Sequence, residues 1–407
     1  MSAPLAGLRV LDLSRILAGP TATQLLSDLG AEVIKIERPG AGDDTRGWGP
    51  PFLRDANGSE TRESAYYLSA NRGKKSVAVD LGHPQGQQII RSLAAESDVL
   101  IENFKVGGLK KHKLDYDSLH RTNPRLIYCS ITGFGQTGPL SHRAGYDFLI
   151  QGMGGIMSLT GEPGRDPMKV GVGIADVMCG MYANTAILSA LHARHSSGRG
   201  QHIDLSLLDC QMAWLINQGQ AYLVDGNVPP QRGNEHPTIV PYGTFPASDR
   251  VFILAIGNDG QFARFCAVAG HPDLAKDPRF LSNADRVRNR DVLIPLLGEI
   301  TATRTAAAWI AALEDKAVPC GPINTVAEAF AQPQAQARGM RVTLPHPVSG
   351  EVDVIGNPIR MSDTPVTYQG APPQVGEHTR DVLVDLLGAK EEQLSAWAAA
   401  GAIGGPT

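Results

Sequence analysis

Cysteine is sparse and has no pairing pattern: Cys129, Cys179, Cys210, Cys266 and Cys320 are the only five in 407 residues, widely spaced and with no CxxC among them. An odd, dispersed set excludes a disulfide framework and a four-cysteine zinc site, and it fits reduced thiols in a reducing compartment, so a cytoplasmic location is expected. The eleven histidines form no HExxH or comparable cluster, so no metal is expected. The N-terminal MSAPLAGLRVLDLSR lacks the apolar core of a signal peptide, and no stretch of about 18 uninterrupted apolar residues could span a bilayer. A net charge of -4 gives no general attraction to nucleic acid or anionic lipid, so any anion site must be local. GxGxxG is also missing, which weakens a dinucleotide-binding reading.

What is present is an α/β rhythm. The run 8-LRVLDLS-14 reads as strand, and 20-PTATQLLSDLGAEVIKIERPG-40 as helix, glycine stop and second strand, with proline and glycine at the expected ends. A long polar segment, 39–64, interrupts the rhythm without a clear element. Strands at 76–81, 98–104 and 125–131 then alternate with helices at 84–97 and near 115–122, which predicts a mainly parallel sheet with helices on both faces. Ligands bind at loops that follow such strands. Lysines and arginines cluster in 71-NRGKKS-76 and 102-ENFKVGGLKKHK-113, either as phosphate ligands or as a solvated face. A turn-rich break at 225–237 divides the chain into 1–224, a smaller α/β unit at 225–330, and a C-terminal return at 331–407.

The most distinctive stretch is 169-KVGVGIADVMCGMYANTAILSALHARHSSGRGQHIDLSLLD-209. Met178, Met181, Tyr182, Ile187, Leu188 and Leu191 recur at helical spacing from about Ala175 to His195, while Gly180 and Ala183 leave room for another backbone. Asp176 stands alone at the mouth of this apolar helix. A carboxylate there either caps the helix or acts as a nucleophile kept ionised by the helix dipole, and the two roles are compatible.

Several segments, in order, carry a resemblance over nearly the whole chain: 9-RVLDLSRILAGP-20, 30-GAEVIKIERPGAGDDTR-46, 71-NRGKKSVAVDL-81, 101-IENFKVGGL-109, 129-CSITGFGQTGP-139, 145-GYD-147, 173-GIAD-176, 198-GRGQHIDLSLLD-209 and 257-GNDGQF-262. The chain resembles the class III CoA-transferases, the family of formyl-CoA transferase and the carnitine and bile-acid CoA-transferases. The runs 38-RPGAGDDTRGWGPPF-52 and 236-HPTIVPYGTF-245 are most similar to its succinyl-CoA-dependent dicarboxylate branch.

The resemblance implies a large doubly wound, Rossmann-like domain built from both chain ends, an inserted smaller domain and an interlocked homodimer. It implies that Asp176 is the catalytic aspartate, and that Gly257, Gly260 and Gln261 belong to a mobile glycine loop shielding a reactive anhydride from water. Arg38, Arg72, Lys75, Asn103, Phe104 and Lys111 match the family's CoA-binding positions, and Tyr146 and Asp147 its active-site lining. Leu17 stands where relatives carry glutamine or histidine. No tightly bound cofactor is implied; coenzyme A and its thioesters are substrates. A dicarboxylate acceptor such as glutarate or itaconate needs a cation for its distal end, for which Arg46, Arg15 and His236 are the candidates. The same fold also hosts α-methylacyl-CoA racemases, which use a histidine where this chain has Tyr146, a poor base at neutral pH.

Overall fold

The computed structural model describes residues 3–405. Six strands form its large sheet: β1 (Arg9–Asp12), β2 (Glu32–Glu37), β3 (Lys74–Ala78), β4 (Val99–Glu102), β5 (Ile127–Thr132) and β6 (His202–Ser206). The helices that matter here are α1 (Ala18–Asp28), α2 (Pro84–Ala95), α3 (Asp147–Met153), α4 (Ile174–Ser197), α5 (Leu207–Ala213), α6 (Ile216–Asp225), α7 (Asp259–Val268) and α8 (Thr379–Leu387).

The strands lie in the order β3-β2-β1-β4-β5-β6, and every neighbouring pair is parallel. The order reverses between β1 and β4, so the loops leaving those two strands part and open a crevice at the carboxyl edge. Alternation along the strands sorts the core. Val10, Val33, Val99 and Ile127 face one side, packed with Ala22 and Leu26 of α1 and Cys179, Ala183 and Ile187 of α4. Leu11, Ile34, Val77 and Leu100 face the other, with Ile89, Ile90 and Leu93 of α2 and Val382 and Leu383 of α8. Each such burial contributes about 1.5–3 kcal/mol, and both faces being covered explains why the strands read as continuous apolar runs.

Helix α4 lies against α1 at van der Waals distance. A Cβ on Gly180 would sit 2.7 Å from the Ala18 carbonyl oxygen, and Asn184 Nδ2 donates to the Ala22 carbonyl at 2.9 Å. The close approach expected at Gly180 is therefore found. The apolar positions of α4 do not form one buried stripe, however: Met178 and Ile187 are buried, whereas Met181, Tyr182 and Leu188 are exposed. The polar segment 39–64 also holds more order than its composition predicts, with a 3-10 turn at Asp44–Gly47 and an antiparallel pair, Phe52–Arg54 with Glu60–Ser64. Its second strand, ETRES, is polar on both faces and so carries no hydrophobic alternation to read.

The chain forms two compact units. The first comprises residues 3–156, Lys169–Gly226 and 336–405. Its C-terminal part adds Val382, Leu383, Leu394 and Ile403 to the β2–β3 side of the core and bridges Val79 to Ile403. The second comprises Met157–Met168 and Asn227–Ala335. The short piece before Asp176 joins it because Gly233 N donates to the Gly161 carbonyl at 3.0 Å and Gln231 Nε2 to that of Thr160 at 3.0 Å. This unit is built on a three-stranded antiparallel sheet, Tyr242–Pro246, Val251–Ala255 and Cys320–Pro322, with Phe252, Phe262, Phe265 and Trp309 in its core.

Candidate active site

A crevice of about 490 Å³ opens where the sheet order reverses, lined from β1 by Arg15–Ala18, from β4 by Asn103–Val106 and Lys111, from β5 by Thr132 and Gly133, and by Arg143–Tyr146 and Asp176. Arg15, Arg38 and Phe104 also border an adjoining recess of about 180 Å³. The two loops at the reversal are tied to each other: Arg15 N donates to Asn103 Oδ1 at 3.0 Å, and Asn103 Nδ2 returns a bond to the Arg15 carbonyl at 2.7 Å. The Arg15 guanidinium stands 5.5 Å over the Phe104 ring and pairs with Asp44 at 2.7 Å, which Arg38 approaches at 3.7 Å.

Beneath this surface lies a buried ionic frame. Lys35 Nζ donates to the Ser14 carbonyl and to Asp43 Oδ2, both at 2.9 Å, and Asp43 Oδ1 accepts from Ile16 N at 3.3 Å, where the backbone takes the left-handed conformation at φ 72°. Burial works against both charges, but Lys35 and the Thr45 amide still hold Asp43 at about 2, and Asp43 with Asp12 raises Lys35. Both are charged at neutral pH, so the loop carrying Arg15 is fixed from below.

Asp176 is third in α4, whose N-cap is Gly173, a residue with no side chain to cap it. The cap comes from elsewhere: Asp147 Oδ1 accepts from Ala175 N at 2.8 Å and from Asp176 N at 3.4 Å. Asp147 Oδ2 in turn accepts from Gln151 Nε2 at 2.7 Å. The capping role open to Asp176 on sequence therefore falls to Asp147, and among the described residues no group donates a hydrogen bond to the Asp176 carboxylate. Burial, and then the Asp147 charge, push its pKa up to about 7. Leu17 packs on the cap residue itself: a Cβ on Gly173 would lie 3.0 Å from its Cδ2. Gly133 and Gly145 cross in contact beside this cap, a Cβ on either coming within 2.6 Å of the other's Cα, which brings Tyr146 and Asp147 up to the crevice.

Several expected site residues lie elsewhere or are already engaged. Arg72 is buried, with Nε and Nη2 on Asp28 at 2.9 and 2.6 Å and Nη1 on the Ile355 carbonyl at 2.7 Å, leaving no free face for a phosphate. Lys75 pairs with Glu32 at 2.7 Å at the amino-terminal side of the sheet, opposite the crevice. Arg46 is buried on Glu37 at 2.6 Å and Glu63 at 3.3 Å, with its guanidinium 3.6 Å over the Tyr67 ring, and cannot read a substrate carboxylate. Its grip on Glu37 also removes the acid that a dinucleotide ribose would need. His236 belongs to the second unit, where burial and nearby Arg290 hold its pKa below the usual range, so it is a poor cation at neutral pH.

Arg15, Arg38, Asn103, Phe104, Lys111, Tyr146, Asp147 and Asp176 are brought together. Two further residues had no motif to announce them. Arg143 lines the crevice, stands 5.5 Å over Phe134 and forms no ion pair among the described residues. Its position two residues before 145-GYD-147, in the loop that follows β5, was the available signal. Tyr66 is pushed up to about 12 by burial and by the carboxylates of Asp176 and Asp147, and its ring meets Trp48 edge-on at 5.2 Å.

In the second unit, Gly257 N donates to Gln261 Oε1 at 2.7 Å, and Asn258 caps α7 by accepting from Gln261 N at 2.9 Å. Neither Gly257 nor Gly260 has positive φ, and a Cβ on either would meet only ordinary contacts of 3.4–3.6 Å. The turn is an orthodox helix start that does not demand glycine.

A family model for CoA-transferase family III matches residues 5–379. The chain is 49% identical over 383 residues to a succinate–glutarate CoA-transferase of Agrobacterium fabrum, covering 94% of this chain and 96% of that one. It is 42% identical over 384 residues to a succinyl-CoA:glutarate CoA-transferase of Mus musculus, covering 94% and 86%. A solved CaiB/BaiF family protein from Brucella suis superposes with a TM-score of 0.85 at 50% identity, covering 95% of this chain and all of that one. With the reversal-point crevice and its aspartate, these likenesses place the chain in CoA-transferase family III, and it is a class III CoA-transferase.

Proposed function

We propose that the enzyme moves coenzyme A from succinyl-CoA to a C4–C6 dicarboxylic acid such as glutarate, with Asp176 as the covalent nucleophile. The observation that carries this reading is a buried carboxylate that receives no hydrogen bond among the described residues, set in a crevice edged by Arg15, Lys111 and Arg143. An Asp176 oxygen attacks the thioester carbonyl and expels CoA thiolate, forming a mixed anhydride. The thiolate then attacks the aspartyl carbonyl, releasing succinate and leaving an aspartyl-CoA thioester. The acceptor carboxylate repeats the exchange in reverse: it displaces the thiolate to form a second anhydride, and the thiolate takes the acceptor's acyl group and frees Asp176. No bond energy is lost to water, and one difficult exchange becomes several easier ones.

Arg15, Arg38, Asn103, Phe104 and Lys111 suit the nucleotide and phosphates of CoA, since guanidinium and ammonium groups match phosphate charge and Phe104 offers a flat apolar face. Arg143, which has no carboxylate partner among the described residues, is the best-placed cation for the acid's distal end. The names of the Agrobacterium and mouse relatives support a dicarboxylate acceptor. A racemase reading finds no support, because the only side chain at the histidine position is the exposed Tyr146.

The enzyme is also proposed to be a homodimer. Phe148, Met153, Met181, Tyr182, Met212 and Trp214 are exposed on three mutually packed helices, α3, α4 and α5 with the residue that ends it, an apolar surface of the kind that subunits cover.

The test is a panel of acids offered with succinyl-CoA and scored for new thioesters. Glutarate should exceed pentanoate by about 1–3 kcal/mol in kcat/KM terms, the scale of a charged hydrogen bond. Equal efficiency for the two would refute the dicarboxylate assignment. Trapping with hydroxylamine during turnover should modify Asp176 alone, and modification of another carboxylate would move the nucleophile.

A further inference from the structure

The free amides of a helix's first turn are ordinarily taken by the N-cap side chain, and α4 begins after Gly173, which has no side chain to offer. In α4 those amides are taken. Asp147 comes from the start of α3 and places one oxygen on Ala175 N and Asp176 N. Its other oxygen is held by Gln151, which is fully buried and whose own Oε1 accepts from Val170 N at 2.8 Å. Gln151 thus ties the cap to the strand of chain that leads into α4, and Asp147 has no freedom to swing away.

We propose that Asp147 is a positioning residue for the nucleophile: by capping α4 from outside it holds the Asp176 backbone in place and sets a second negative charge beside attacking oxygens that accept no hydrogen bond among the described residues. This rests on Asp176 being the nucleophile, and it changes the role of Asp147 from lining the site to setting the state of the attacking group. The other charged or titratable groups around Asp176 are Tyr66, Cys179 one turn along α4, and the crevice side chains Arg15, Lys105, Lys111, His112, Arg143, Tyr146 and Asp44, the last paired with Arg15 at 2.7 Å. Tyr66 and Cys179 stay protonated at neutral pH, because burial and nearby carboxylates raise the first, and a hydrogen bond with Cys210 and then burial raise the second. Asp147 is therefore the one anion that acts on Asp176 directly.

The experiment compares pH profiles of kcat/KM for succinyl-CoA with glutarate in wild type, Asp147→Asn, Gln151→Met and Asp176→Asn. The amide of Asp147→Asn keeps an acceptor oxygen for the cap but removes the charge and the acceptor for Gln151 Nε2. Its acid limb should move down by about one pH unit or more, and its plateau rate should fall about tenfold as the attacking carboxylate becomes less basic. Gln151→Met keeps both carboxylates but frees Asp147, and should move the limb in the same direction by less; it serves as the test should Asp147→Asn not fold. A purely structural cap would change stability and leave the limb where it was. An unmoved limb in both variants, with Asp176→Asn inactive, overturns the role of Asp147 alone. Near-native turnover by Asp176→Asn overturns the nucleophile and this inference together.

Discussion

Replacing Asp176 with asparagine should make the protein inactive and, above neutral pH, more stable. In the folded chain this carboxyl ionises near 7 instead of near 3.8, because burial and then Asp147 disfavour its charge, and it is only 8% exposed. Three pH units correspond to roughly 4 kcal/mol. The positive end of α4 opposes part of that, by up to about 2 kcal/mol, leaving a net of roughly 2–4 kcal/mol. The sign follows from proton uptake. Between pH 4 and 7 the folded protein holds a proton on Asp176 that the unfolded chain has released, so this group's contribution is fully favourable below pH 4 and is lost as pH rises through 7. Asparagine is nearly isosteric, stays neutral and escapes the loss. Urea denaturation of both proteins at one fixed concentration, at pH 5 and pH 8, measures it. The variant's advantage should be largest at pH 8 and shrink toward pH 5. Equal stability at pH 8, or a less stable variant, would mean that the folded protein satisfies the Asp176 charge, and the argument for an uncommitted nucleophile would fail. Active sites commonly hold groups at such a cost to stability.

Arg72→Met and Arg46→Met should each destabilise the fold by about 3–5 kcal/mol, the cost of orphaning a buried carboxylate, while the surviving folded protein keeps its KM for succinyl-CoA and its preference for glutarate. A raised KM without loss of stability would return either residue to the substrate site. Dilution in sedimentation experiments should show a dimer that loses activity as it dissociates, and Tyr182→Asp with Met212→Asp should bring that transition to higher protein concentration. An active monomer at nanomolar concentration would refute the dimer.

The order of strands and helices was legible because it rests on local signals. Proline and glycine punctuate α1, apolar runs mark β1 to β5, and the long apolar helix around Asp176 stands out, although its ends fell one or two residues from those predicted. What could not be read was the second face of α4, since the same apolar spacing serves the core through Met178 and an exposed surface through Met181 and Tyr182. The polar strand Glu60–Ser64 was silent for the opposite reason, having no apolar face at all. The capture of 157–168 by the second unit depends on bonds to residues some 70 positions later, which no local pattern encodes.

The site residues divide along a sharper line. Sequence identifies which side chains carry charge but not which charges remain available once the chain has folded. Arg46 and Arg72 stood in the right segments, yet Glu37, Glu63 and Asp28, invisible as partners in one dimension, consume them. Lys75 stood in a basic run at the start of a strand, and in a parallel sheet the start of every strand points away from the ligand edge. The basic residues that do face the crevice, Arg15 and Lys111, both follow strand ends. That rule needs only the order and direction of the strands, and applied to residues after β5 it puts Arg143 among the candidates from sequence alone. For Asp176 the same logic runs in reverse: its value lies in a partner that it lacks among the described residues, while Asp147, 29 residues earlier, caps its helix and sets a second carboxylate beside it.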